Sequence, residues 1–351
     1  MPAWPEVDTL VAMNTSGILQ LRTPYLLFLG SADSDPMAKT AFGVRDWTPE
    51  RCVAQLRLPG CKVDLGLPDM TPAAAAAAGA GSLLLGVAPA GGAIPPEWTA
   101  TLLDAVRTGL DIVSGMHTRL ADVPGLAAEA QRHGVALVDV RHPRQTFPTA
   151  TGRRRTGKRL LTVGTDCALG KKYTALALTA ALRKRGVAAD FRATGQTGVM
   201  ISGSGVAIDA VVADFIAGAA EQLSPDAAAD HWDIVEGQGS LFHPAYAGVT
   251  TGLIHGSQPD VLIMCHDPSR THIKSVDNYP LPTLEQAAEL NLMVARLTNP
   301  AVRLAGISLN TSALSKEQRA RVLGEIEARM QLPCFDPLKD SLDAVTQRIL
   351  D

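Results

Sequence analysis

The sequence predicts an α/β protein with an N-terminal Rossmann-like domain followed by a P-loop NTPase-like domain on a mostly parallel sheet. Three observations carry that prediction. Short β-branched or Leu-rich runs alternate with longer helical patterns along most of the chain, as βα units feeding a parallel sheet do. Residues 159–186 set a buried strand, a glycine loop, a lysine and a helix in the order a phosphate cradle requires. At 351 residues the chain is too long for one ordinary core, and each of two domains has enough length to bury an apolar interior without disulfides or metals.

In the first half, strands are expected at 25–29, 82–87, 111–114 and 136–140, with helices near 71–78, 97–108 and 124–133. Residues 142–158 (HPRQTFPTATGRRRTGK) are rich in Pro, Gly, Thr and basic side chains and lack periodicity, so they read as a linker. Domains at 1–150 and 151–351 follow. The RRR run on that linker is read as solvated rather than as a ligand site. In the second half, strands are expected at 159–163, 188–193, 232–235, 261–265 and 303–308. Helices fall near 171–184, 207–222, 284–297 and 316–330, and a last βα unit closes the domain.

A hydrophobic fraction of 46%, a charged fraction of 19% and a net charge of −3 leave no basic excess for a phosphate backbone, so nucleic acid is not an expected partner. The five cysteines are widely spread without a C-x-x-C pair, which argues against a disulfide framework and for a reducing compartment. The uncharged run 70–96 is broken by Gly and Pro and filled with Ala, so it reads as buried α/β structure rather than a membrane span. With no basic n-region at the start, the expected location is cytoplasmic. A homodimer or higher homo-oligomer is the base-rate expectation.

The loop itself comprises Gly164, Thr165, Asp166, Cys167, Ala168, Leu169, Gly170 and Lys171, with Lys172 and Tyr173 opening the helix. Glycines let successive N–H groups turn toward one point, the helix N-terminus adds partial positive charge, and Lys171 adds a full one. Two features depart from the commonest P-loop. Five residues separate the glycines, and Lys172 stands where a magnesium-binding Ser or Thr is expected. Thr174 would replace that hydroxyl only if the helix register shifted. A second segment, Glu236-Gly237-Gln238-Gly239-Ser240, follows the strand HWDIV, which places a carboxylate at the crevice where open α/β sheets bind ligands. The bland alternative for Glu236 is a capping residue in a tight glycine turn. Cys265, His266 and His272 match no zinc spacing, and no metal ligands are assigned.

The five-residue spacing with the letters GTD, together with E-G-x-G after a strand, resembles the dethiobiotin synthetase branch of P-loop proteins. Taken together, QLRLPGCKVDLGLPDM (55–70), GLDIVSGMHTRLADVP (109–124), VDVRHP (138–143), TVGTDCALGKKYTAL (162–176), ADFRATGQTGVMISGSGVAIDAVVADFIAGA (189–219), DIVEGQGSLFHPAYAGVT (233–250) and ARLTNPAVRLAGISLNTSAL (295–314) resemble the D-glutamate N-acetyltransferase (DgcN-like) family. That resemblance covers nearly the whole chain. It implies acetyl-CoA as cosubstrate and transfer of its acetyl group to the amine of D-glutamate, a small-molecule amino-acid substrate. The segment 168–172 departs from the residues expected around the Gly-Lys pair.

On that reading the loop residues 164–173 hold the cofactor. Attack on a thioester needs a neutral amine, hence a general base, for which Glu236 is the first candidate and His243 the second. The turns 195–198 and 237–239 are candidate N–H donors to the oxyanion. Arg192, Thr194, Gln196, Thr197, Gln238, Ser240 and Arg270 are the candidate substrate-binding residues, the two arginines as clamps for carboxylates. Cys167, inside the loop, is a packing residue rather than a nucleophile. The competing reading is an ATP- and Mg-dependent ligase of the dethiobiotin synthetase type. A nucleotide-sensing switch protein is a third, but neither a basic surface nor a partner-binding tail accompanies it.

Overall fold

The computed structural model describes residues 18–142 and 146–351, which divide into two compact units. The first holds 18–142 and 196–210; the second holds 146–195 and 211–351.

The first unit opens with β1 (Leu19–Gln20) and β2 (Tyr25–Gly30), then α1 (Lys39–Trp47), β3 (Cys52–Arg57), α2 (Pro72–Ala77), β4 (Ser82–Leu85), α3 (Thr99–Arg107), β5 (Asp111–Ser114), α4 (Leu126–His133) and β6 (Leu137–Asp139). Five of these strands form a parallel sheet in the order β3-β2-β4-β5-β6. Tyr25 to Leu29 are all fully buried, the near-continuous apolar run that a central parallel strand shows. β3 is a finding the periodicity does not predict. It is an edge strand whose Gln55 and Arg57 interrupt the apolar pattern, and Gln55 is buried because its amide donates to Asp64 Oδ1 (2.9 Å) and accepts from Leu65 N (2.8 Å). The run 70–96 contains α2 and β4, and no described helix is long and apolar enough to cross a membrane.

The second unit begins with β7 (Lys158–Gly164), α5 (Lys171–Lys184) and β8 (Ala189–Arg192). The chain then returns to the first unit for α6 (Gln196–Ser202) and β9 (Ser204–Gly205), which pairs antiparallel with β1. Back in the second unit come α7 (Ile216–Leu223), β10 (Trp232–Val235), α8 (Ala247–Ser257), β11 (Val261–His266), α9 (Leu284–Arg296), β12 (Arg303–Leu309), α10 (Lys316–Met330), β13 (Cys334–Phe335) and α11 (Asp343–Leu350). Its six strands are parallel in the order β13-β12-β11-β7-β10-β8. Alternate residues serve opposite faces. Leu160, Ile234 and Ile263 pack with Leu178 and Leu182 of α5, while Leu161, Val235 and Leu262 pack with Leu253 and Ile254 of α8.

Two expectations change. The helix predicted over 207–222 is α7 alone, preceded by short 3-10 turns at Ile208–Ala210 and Ala213–Phe215, so Asp209 and Asp214 lie on no α-helix and both are exposed. The arginine run is not simply solvated either. Arg153 pairs with Asp226 and Arg154 with Asp260, while the buried Arg155 donates from Nη2 to Gly256 O (2.6 Å) and Ser257 O (3.2 Å). Those are the last two residues of α8, whose end carbonyls have no partner within the helix, so the guanidinium caps it.

α8 itself carries Gly248, Gly252 and Gly256, a poor composition for a helix. It forms because the glycines let it approach α7 closely: a methyl group at Gly252 would lie 2.5 Å from Ile216 Cγ2, and one at Gly256 2.1 Å from Ala217 O.

Candidate functional site

β7, the third strand from the β8 edge and flanked by β10 and β11, delivers its end to the loop. A methyl group at Gly164 would sit 3.2 Å from both Asp166 O and Cys265 O, a tight fit that would make the surrounding backbone give by a few tenths of an ångström. Ala168 (φ +51°) and Gly170 (φ +103°) both adopt the left-handed region, and α5 starts at Lys171. Lys171 is buried, its Nζ folded back to donate to Asp166 O at 2.8 Å, and burial holds its ammonium below the usual lysine range. The helix register does not shift. Thr174 faces inward, its hydroxyl 2.8 Å from Ser308 Oγ and donating to Gly170 O at 3.2 Å.

Asp166 is fully buried and wholly engaged. Its Oδ1 accepts from Cys167 N (2.6 Å); its Oδ2 accepts from Arg270 Nη1 (2.9 Å) and Lys274 N (2.8 Å). Arg270, expected as a substrate cation, spends its remaining donors on the loop: Nη1 reaches Cys167 O and Nη2 reaches Ala168 O, both at 2.8 Å, while Nε faces Asp267 Oδ2 at 3.3 Å. It thus clamps the backbone of the cradle. Burial, with Asp166 nearby, raises the Cys167 thiol, which keeps it from being a ready nucleophile.

His243 is buried, with Ala245 N donating to Nδ1 (3.2 Å), so the proton sits on Nε2, directed at Lys274 O (3.3 Å). Both ring nitrogens are therefore engaged by backbone. Asp166, Cys167 and His243 offer ligand atoms within 4.8 Å of one another. The set does not fit a cation, because Asp166 is already met by three donors and Arg270 brings a like charge.

Glu236 stands just past the end of β10, buried, with Oε2 accepting from Thr194 N and Gly195 N, each at 3.0 Å. The surrounding glycines have steric reasons. A methyl group at Gly237 would fall 1.6 Å from Thr162 O, and one at Gly195 2.6 Å from Gln238 Nε2. Gly237 N donates to Thr162 Oγ1 (2.9 Å), which ties this turn to the strand that feeds the loop. Gln238 Nε2 donates to Thr194 Oγ1 (3.2 Å), Gln238 O accepts from Thr250 Oγ1 of α8 (2.8 Å), and Ser240 Oγ donates to Gly164 O (3.1 Å). The cradle and the glutamate turn are one hydrogen-bonded assembly.

Thus the second unit brings together residues 164–173, Thr194, Glu236, Gln238, Ser240, His243 and Arg270. Arg192, the last residue of β8, is held by carboxylates of the sheet, with Nε on Asp233 Oδ1 of β10 (2.7 Å) and Nη2 3.7 Å from Asp190 Oδ2 of β8. Gln196 and Thr197 belong to α6 in the first unit, so 196–198 is a helical turn rather than a loop, and the Gly195 N–H is occupied by Glu236. The Gln196 amide, oriented by its hydrogen bonds, donates to Gly115 O (3.0 Å) and accepts from Arg141 Nε (2.7 Å) and Nη2 (2.9 Å). Residues that the sequence reading does not assign to the site also matter: Thr162, Asp267, Lys274 N, and His266, whose Nδ1 lies 3.0 Å from Thr165 Oγ1. Asp267 had a visible signal, since an Asp two residues before a Ser favours the turn in which Ser269 N donates to its carboxylate (3.0 Å).

Comparison with known proteins adds a separate line of support. Residues 147–346 match the model described as "Domain of unknown function (DUF1611_C) P-loop domain", and residues 56–143 match its Rossmann-like counterpart, DUF1611_N. The chain is 51% identical over 319 residues to a D-glutamate N-acetyltransferase of Tritonibacter scottomollicae, covering 91% of this chain and 96% of that one. It is 47% identical over 331 residues to a D-glutamate N-acetyltransferase of a Pseudoalteromonas species, covering 94% and 100%. A crystal structure of a DUF1611 family protein from Anabaena variabilis superposes with a TM-score of 0.78 at 33% identity, over 93% of this chain and 99% of the other.

Proposed function

This chain belongs to the DUF1611 family, and on that premise we propose that it is an N-acetyltransferase that moves the acetyl group of acetyl-CoA to the amine of D-glutamate. The observation that carries the proposal is identity of 47–51% over more than nine-tenths of the chain with two proteins of that name.

The geometry of the second unit agrees with the chemistry. Coenzyme A ends in a pyrophosphate and a ribose phosphate, which suit a glycine cradle closed by Lys171 and Lys172 and need no phosphate hydrolysis. The amine of an amino acid is protonated near neutral pH, so the reaction requires a group that removes a proton before attack on the thioester carbonyl. Glu236 is that base in our reading; it is a hydrogen-bond acceptor at the edge of the cradle, whereas both nitrogens of His243 are engaged by backbone. As Glu236 takes up the proton, its hold on the N–H groups of Thr194 and Gly195 weakens, and those two donors become available to negative charge developing on the carbonyl oxygen. No covalent acyl-enzyme is needed.

The test is release of the CoA thiol from acetyl-CoA with D-glutamate, L-glutamate or no amino acid, with the product identified by mass spectrometry. Thiol release that depends on D-glutamate, with N-acetyl-D-glutamate formed and no nucleotide added, is expected. Thiol release indifferent to the amino acid, or product formation only with ATP, magnesium and concurrent ADP release, would overturn the proposal.

A further inference from the structure

In a common P-loop the residue after the lysine is a Ser or Thr whose hydroxyl binds magnesium, and a carboxylate on the neighbouring strand completes the metal's surroundings. Here that residue is Lys172. Magnesium demands about six oxygen ligands in octahedral array, and the hydroxyls, the Asp166 carboxylate and one oxygen of Glu236 around this loop already have partners. The Thr174 hydroxyl is turned inward to Ser308 Oγ and Gly170 O, and Thr165 Oγ1 meets His266 Nδ1. Asp166 is held by Arg270 and two backbone N–H groups, and Glu236 Oε2 by the N–H groups of Thr194 and Gly195. A divalent cation would also meet three protein cations, Lys171, Lys172 and Arg270.

Lys172 is well placed to do a metal's work. It is the second residue of α5, beside the buried Lys171 and within electrostatic reach of Glu236, with its Nζ 4.6 Å from the Tyr173 ring centroid. The aromatic face and the carboxylate offset part of the cost of keeping an ammonium half-buried, and burial without an anion pulls that group below the usual lysine range. A phosphate would supply the missing charge.

We infer that this P-loop binds the phosphates of its ligand without a divalent cation, and that the Lys172 ammonium supplies the neutralisation that magnesium provides in other P-loops. The inference rests on the reading above in one respect, that the cradle receives a phosphate-bearing cosubstrate.

Titration calorimetry on the full chain tests it, with CoA and inorganic pyrophosphate as probes, each in EDTA and in excess magnesium. Wild-type affinity is expected to agree within about twofold between the two media, whereas Lys172→Met, similar in shape but uncharged, loses about tenfold in EDTA, and Lys172→Arg recovers most of it. A wild-type protein that binds either probe only with magnesium, or a Lys172→Met protein, folded by circular dichroism, that binds as tightly as wild type in EDTA, would overturn the inference. Failure of the acetyltransferase reading looks different: pyrophosphate binds in EDTA and CoA gains nothing over it, which leaves the role of Lys172 standing.

Discussion

Glu236 and Thr194 hold each other twice: Thr194 N donates to Glu236 Oε2 at 3.0 Å, and the Thr194 hydroxyl donates to Glu236 O at 2.6 Å. Gln238 Nε2 in turn donates to the same hydroxyl, so the side chain of Thr194 anchors the backbone of Glu236 while the N–H groups of Thr194 and Gly195 hold its carboxylate. Such a group has little freedom to rotate, which suits a base that must meet its proton at one place.

Replacing Glu236 by Gln keeps the shape and leaves an amide oxygen for the two N–H donors, but removes the proton acceptor. We expect kcat for acetyl transfer to fall by about 10²-fold or more with KM for acetyl-CoA nearly unchanged. A fall confined to KM would reassign the residue to binding.

Glycine positions separate the site from ordinary helix composition. Gly237→Ala drives a methyl group into Thr162 O and should cost at least about 1–3 kcal/mol in denaturant unfolding. By contrast, a methyl group at the exposed Gly324, inside α10, meets nothing, and Gly324→Ala should stabilise by about 0.5–1 kcal/mol. Equal and small effects from both would mean that the glutamate turn is not sterically constrained.

Removing Arg270 leaves Asp166 buried with two backbone donors and no cation. Arg270→Ala should destabilise by about 3 kcal/mol and weaken CoA binding, because the carbonyls of Cys167 and Ala168 lose their tether. Adding Asp166→Asn should return part of that stability; a double variant no better than the sum of the singles would argue that the pair is not coupled.

Acid stability should report on His266, which burial pulls from 6.5 to about 4. Between those values the unfolded chain binds more protons than the folded one, so the contribution of the neutral ring is complete above pH 6.5 and drains away as pH falls toward 4. The loss amounts to about 3 kcal/mol. Urea titrations at several pH values should show His266→Gln with a flatter dependence over this interval; a profile parallel to wild type would discount the ring.

Local features of the site were readable because they are written in consecutive residues. The loop from Gly164 to Lys171 and the turn from Glu236 to Ser240 each combine a strand, glycines and one charged group within a few positions, and both occur where expected. Arg270 shows what is not readable. Its place just past a strand end is visible in the sequence, yet its loop partners lie about a hundred residues earlier, and nothing in the local pattern distinguishes a substrate cation from a loop clamp.

Helix α8 is hidden for a different reason. Its three glycines argue against a helix when only propensity is weighed, and the close approach to α7 that makes two of them, Gly252 and Gly256, useful is a tertiary fact. β3 and α6 were obscured similarly: one is a polar-interrupted edge strand, and the other begins directly after a glycine in a stretch that reads as a turn.

The return of residues 196–210 to the first unit means that no single cut in the polypeptide separates the two halves into intact pieces. Swapping the N-terminal half with that of a relative at one crossover point would bring in a foreign partner for α6 and β9 while leaving those two segments native. Successful chimeras would need three junctions, near 145, 195 and 210, so lineages of this family are expected to inherit both halves as one block and to diverge in step.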